Sequence, residues 1–302
     1  MKKNKSLSLS HPYILLFISI LSISISSIMI KSSDTPTSVA GMYRLFISVI
    51  LMLPFVPWKK LRLMEMGKKD WTSVLLAGLF LGLYFLSWME SLVYTSVASS
   101  MVILSLQPLF VMIGSYFLFK ERVTVVTILC LIAALSGTII IACGDIGVSR
   151  EALIGDGLSL LGTLLVSAYM LAGQKVSHKI DANIYSVIVF FLGGCVMLVY
   201  NLLNHTSLME YNSSDWIYFF LLALIPTIFG QYLINLLLKS LGATTVSVGI
   251  IGEPILAIIL AYAFLGESIS GFQFIGGMMT ILGMGGYFRA KSWSYTVAND
   301  QK

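Results

Sequence analysis

Charge is what this chain of 302 residues has least of: 11% of its positions are Asp, Glu, Lys or Arg, where a soluble domain carries roughly 25%. With 57% apolar residues, too few charges remain to cover a soluble fold. Cysteine is also scarce. Cys130, Cys143 and Cys195 lie in or at the edge of apolar runs with no paired spacing, so neither a disulfide framework nor a metal site is indicated. The three histidines, His11, His178 and His205, fall in loops or at run ends, where none is placed for a proton relay. No apolar run holds two carboxylates or a histidine pair, and no loop is long enough for a catalytic domain, which argues against a membrane enzyme. A phosphate-cradling glycine loop is absent, so ATP drive would need a partner, and no cofactor is implied.

What is present is a series of apolar runs of about 20 residues, the length a helix needs to cross a bilayer core. They run Pro12 to Ile30, Val39 to Pro57, Thr72 to Tyr94, Ala98 to Phe119, Val123 to Cys143, Gly155 to Gly173, Ile184 to Leu203, Trp216 to Leu238, Thr244 to Leu265 and Phe272 to Phe288. The first run follows Met1-Lys-Lys-Asn-Lys, but it lacks a small-residue cleavage site and reads as a retained helix. An all-α integral membrane protein of about ten transmembrane helices is expected, with the lipid bilayer as its main partner.

The net charge of +5 does not point to nucleic acid, because the basic residues sit at the ends of runs rather than in one patch. Positively charged loops stay cytoplasmic. If the N-terminus is inside, all of the 19 Lys and Arg residues except Lys31, Arg44 and Arg150 fall on the inner side, with Lys59, Lys60, Arg62, Lys68 and Lys69 as the densest group. Ten spans then put the C-terminus inside as well, in a multi-pass protein of the cell membrane.

Two stretches match each other. LQPLFVMIGSYFLFKE from Leu106 and GEPILAIILAYAFLGE from Gly252 align Pro108 with Pro254, Tyr116 with Tyr262 and Glu121 with Glu267, and further on Gly137 with Gly283, all at one ungapped offset. A duplication is indicated, with halves 1–148 and 149–302. Each half holds five spans, an odd number, so the second must insert upside down, an architecture suited to alternating access.

A proline in mid-helix, an acid about 13 positions on and then a glycine-containing helix therefore occurs twice, as Pro108 to Glu121 and Pro254 to Glu267. With the arginine in AGMYRLFISVILMLP and the approach YTSVASSMVILSLQP, this order resembles the EamA family of the drug/metabolite transporter superfamily over essentially the whole chain. The resemblance implies ten helices, both termini inside and export of metabolites, amino acids among them. Two departures stand out: Cys130 occupies the place matched by Gly276, and Glu90 is an unexpected acid near the end of the third run.

Gln107 and Glu253 are the sharpest site candidates. Each precedes a proline, which has no N–H to donate, so the carbonyls of Leu104 and Ile250 are left free. Such backbone is tolerated in a membrane where protein or a watery cavity satisfies it, which makes the pair either a midplane site or packing kinks. A carboxylate at the bilayer centre costs at least about 2.5 kcal/mol, so Glu253 is expected to be solvated, paired or protonated, and it is the candidate coupling or substrate-binding acid. Arg44 reads either as a substrate carboxylate contact or as a paired or snorkelling cation. Thr227, Gln231 and Asn235 form one polar stripe, Ser159, Thr163, Ser167 and Gln174 a looser one, and Tyr84, Trp88, Ser91 and Tyr94 mark the third run. These serve either a pocket or helix packing, with Gln231, Asn235, Trp88 and Tyr84 the preferred pocket contacts. Glu121 and Glu267 read as caps or loop pairs, and Gly276, Thr280 and Gly283 as a close-packing face.

The function expected is secondary transport of small metabolites, amino acids or related compounds first, by alternating access with proton coupling as an option. A polar-lined channel or facilitator is the alternative, and a membrane-embedded enzyme ranks below it. Homo-oligomerisation is left open.

Overall fold

A chain that is apolar over most of its length has only one way to satisfy its backbone in hydrocarbon without closing a barrel, which is to hydrogen-bond within helices. The computed structural model describes residues 12–31, 33–61, 66–121, 123–142, 150–265 and 269–300, and these are helical almost throughout. Both termini, Cys143 and Glu267 lie outside the described residues, as does the side chain of Lys31. The first half comprises α1 (Pro12–Lys31), α2 (Thr37–Met52), α3 (Lys68–Tyr94), α4 (Val97–Leu104), α5 (Gln107–Phe119) and α6 (Val125–Ala142). The second comprises α7 (Arg150–Val176), α8 (Ala182–Leu203), α9 (Ser213–Leu222), a π-helical segment Ala223–Tyr232, α10 (Leu233–Leu241), α11 (Ala243–Ile250), α12 (Glu253–Leu265) and α13 (Gly271–Asp300). Every expected apolar run is largely helical, but three of them, Ala98 to Phe119, Trp216 to Leu238 and Thr244 to Leu265, are divided between two or more of these elements. Among the described residues seven helices are long and apolar enough to cross a membrane, and Pro12–Ser26 and Val125–Ile141 are shorter apolar helices.

The polar breaks end the helices by recognisable means. Lys120 closes α5 in the left-handed conformation (φ 57°), and Gly242, at φ 77°, makes the sharp turn between α10 and α11 that a residue with a Cβ would resist. Asp181 caps α8 by accepting from the Asn183 N–H at 3.1 Å.

The two halves are interlocked rather than side by side. α7, which opens the second half, packs on α3, α4 and α5 of the first, while α1 packs on the π-helical segment, α10 and α12 of the second. Glycine permits the closest approaches: a Cβ on Gly155 would meet Thr95 of the α3–α4 turn at 2.8 Å, and one on Gly82 would lie 2.7 Å from Val196 of α8. α6 and α13 form a separate antiparallel pair in which Gly137 faces Gly276 and Thr280, and Gly283 faces Cys130 and Ala134. A Cβ at Gly137 would lie 2.5 Å from the Gly276 carbonyl, so these backbones touch with no side chain between them, as the small-residue face suggested.

One end of the bundle is basic. There Lys60 pairs with Asp181 and Lys179 with Asp70, both at 2.8 Å and both joining one half to the other.

Candidate functional site

The two prolines do what their missing N–H groups require. α4 ends at Leu104 and α5 restarts at Gln107, and α11 ends at Ile250 while α12 restarts at Glu253. Between them the chain turns through short-range bonds, Leu106 N to Ile103 O at 3.1 Å in one half and Gly252 N to Gly249 O at 3.0 Å in the other. Gln107 and Glu253 are thus first residues of half-helices, with Pro108 and Pro254 beside them where a proline costs least. Neighbouring helices supply hydroxyls to the breaks. Thr163 and Ser167 of α7 donate to the Ile103 and Gln107 carbonyls, at 3.3 and 3.5 Å, and Ser24 of α1 donates to the Glu253 carbonyl at 3.2 Å. Two residues of the polar stripe expected on the sixth run thus reach the break, while both also bond their own helix one turn back, at 2.7 and 2.6 Å, and Ser159 bonds Ser91 and Ser100 instead.

Both breaks open on one narrow cavity of about 40 Å³, lined by Leu104 and Gln107 from one half-helix pair and by Ile250 and Glu253 from the other. Arg44, Tyr84, Phe85, Trp88, Met170 and Gln231 also line it, with Ser26 and the apolar Ile23, Val166 and Ile234 between them. Six of the seven residues proposed as contacts from the sequence are thereby brought together. Asn235 is not among the lining residues: it accepts from the Tyr169 hydroxyl and donates to Ser186 Oγ at 2.9 Å. Tyr169 in turn hydrogen-bonds Gln231, so Asn235 stands behind the cavity and supports a residue that lines it.

Arg44 does not snorkel. It is 2% exposed, its Nε donates to Thr227 Oγ1 at 2.9 Å and its Nη1 to Ser26 Oγ at 3.2 Å. The guanidinium carbon stands 4.4 Å from the centre of the Phe85 ring, a cation–π contact. Among the described residues no carboxylate forms an ion pair with it. A cation held by hydroxyls and a ring face, and not neutralised, leaves its field directed at the cavity.

Thr227 holds this arginine because helix geometry changes there. Pro226 cannot donate, and the chain answers with the π-helical segment, whose wider turn lets Thr227 Oγ1 donate to the Leu222 carbonyl at 2.8 Å. One turn along α2 from Arg44, Ser48 donates to the Ala223 carbonyl at 3.1 Å. Two hydrogen bonds therefore stitch α2 to this segment. The sequence reading passed over it, although Pro226 within an apolar run was the available signal. It also missed Phe85, Met170 and Ser26.

Tyr84 and Trp88 stack with centroids 5.9 Å apart and planes 18° apart, and Tyr84 lies within electrostatic reach of both Arg44 and Glu253. The Trp88 indole N–H is buried and has no hydrogen-bond partner among the described residues. Gln107 is 2% exposed and donates to the Met170 sulfur at 2.6 Å, a soft acceptor. No described side chain hydrogen-bonds the Glu253 carboxylate. The cavity thus offers a cation, an acid and an aromatic wall to whatever enters it, a mix that small-molecule sites use. Among the described residues no group of His, Cys, Asp and Glu could hold a metal ion.

A helical bundle of this kind, broken twice at a common cavity, is a membrane transport fold. The sequence matches the EamA-like transporter family over residues 11–143 and again over residues 153–289, and the chain belongs to that family. It is similar to an uncharacterized transporter of Clostridium kluyveri, at 27% identity over 248 residues that cover 78% of each chain. It also resembles the uncharacterized transporter YetK of Bacillus subtilis, at 28% identity over 76% of this chain and 70% of that one. A solved crystal structure aligns with a TM-score of 0.77 and 17% identity over 92% of this chain and 96% of the other, a likeness of fold alone.

Proposed function

We propose that this transporter is a secondary carrier that exports a small polar metabolite, amino acids or related compounds first, by alternating access. In this reading ten helices cross the cell membrane as two inverted five-helix repeats, the basic end faces the cytoplasm and so do both termini. The observation that supports it best is the meeting of two half-helices, beginning at Gln107 and Glu253, on one cavity between interlocked halves. Discontinuous helices at a repeat interface are how carriers build midplane sites. Arg44 suits an anionic or carbonyl group of the solute, and Glu253 suits an ammonium group or a coupling proton. The test is flux through purified protein in liposomes, screened across amino acids, nucleobases and cationic drugs. Saturable solute uptake without ohmic ion current is expected, and an ohmic current would replace the carrier with a channel.

A further inference from the structure

Glu121, the residue after the left-handed turn at Lys120, bonds far outside its own helix end. Its Oε1 accepts from Gln174 Nε2 of α7 and its Oε2 from Thr244 Oγ1 of α11, both at 3.1 Å. The other end of the Gln174 amide accepts from the Ala243 N–H at 2.6 Å, and Thr244 Oγ1 lies 3.2 Å from Ser115 Oγ of α5. Lys291 of α13 donates to Thr245 Oγ1 and stands within electrostatic reach of Glu121. One carboxylate thus ties the end of α5, from the first half, to α7 and α11 of the second.

These same three helices are walls of the cavity. Gln174 stands one helical turn beyond Met170, Thr244 precedes Ile250 by about 9 Å of helix rise, and α5 begins at Gln107. The cluster therefore lies between the cavity and the basic end, where the Lys60–Asp181 and Lys179–Asp70 pairs also join the halves. The opposite end differs. There the ends of α1, α3 and α8 and the start of α2 surround an open hollow lined by Asp34, Thr37, Glu90 and Asn204.

We propose that Glu121 is the latch that closes the basic end of the cavity, and that its release from Gln174 and Thr244 opens that side. The purpose of the latch rests on the carrier reading, while its existence does not. The test reads access rather than flux. In a protein whose native cysteines are replaced, a Leu104→Cys substitution places one thiol in the cavity, and a charged methanethiosulfonate is applied from each side of sealed membranes. A cysteine at Lys59 identifies the basic side. In the parent, reaction from the basic side is slow; Glu121→Ala speeds it at least about tenfold, and Thr244→Val, which removes one of the two bonds, speeds it less. If Glu121→Ala does not reach the membrane, Thr244→Val decides alone. An unchanged rate from the basic side, or a parent already fast from that side, overturns the latch. Unchanged access with normal solute flux sinks the latch and spares the carrier; faster access with no flux for any solute does the reverse.

Discussion

The two broken helices share a geometry and differ in how their first residues are engaged. Gln107 is buried, its amide is spent on Met170, and α7 gives its break two hydroxyls. Glu253 opens the matching half-helix with its carboxylate unengaged by any described side chain and a single hydroxyl, Ser24, on its backbone. Two copies of one device have been given different tasks. The first is held in place as part of the wall, and the second presents a titratable group to the cavity. A membrane interior tolerates an unengaged acid only where something else, water, proton or solute, takes it up.

The sharpest way to break this contrast is Glu253→Gln, which makes the second copy resemble the first. Flux of the best solute in the liposome screen is expected to fall about 100-fold, equivalent to about 2.7 kcal/mol, and to lose its pH dependence. A wild-type pH profile in that variant would move the site to Arg44. Next in size is Pro254→Ala. Restoring the N–H allows α11 and α12 to join, so turnover should drop about tenfold while membrane expression holds. Equal turnover would show that the break is ornamental.

Thr227→Val tests the shared wall rather than either copy. It keeps the shape but removes a hydrogen bond to a charged group, worth about 1.5–3 kcal/mol, and an apparent KM raised roughly tenfold with little change in kcat is expected. Thr227→Ser should restore the parent value, and a Ser variant as poor as Val would deny Thr227 its hold on Arg44. The smallest effect belongs to Gln107→Leu, where only a bond to sulfur is lost. A KM change of about threefold, with the pH profile intact, is expected there. A larger loss than that of Glu253→Gln would invert the comparison.

Much of this arrangement can be read in the sequence, because prolines and buried polar residues are local signals. Pro108 and Pro254 mark the breaks to within a residue or two, and the polar neighbours before them do line the cavity. What is lost is whatever depends on a second helix. Thr163 and Ser167 read equally as cavity or packing groups because a stripe shows a face but not what lies against it. Glu121 resembled a helix cap because its partners are 53 and 123 residues away in the chain. Asn235 was assigned to the cavity by counting four residues per turn, a rule that fails across a π-helical segment. In that segment Thr227 turns to Arg44 and Gln231 to the cavity, while Asn235, beyond it, turns to Tyr169.

That same segment, Ala223–Tyr232, uncouples chain length from helix phase. A π-turn holds more residues than an α-turn, so relatives that lack it would carry a shorter stretch between the equivalents of Leu222 and Asn235. If the remaining residues keep the wider turn, deleting Phe229 alone would rotate everything after it by one residue's step, just under a quarter turn. The face of α10 built from Ile234, Leu237 and Leu238, now packed inside, would swing towards lipid. A one-residue deletion here is therefore expected to be worse tolerated than any single substitution in the same ten residues.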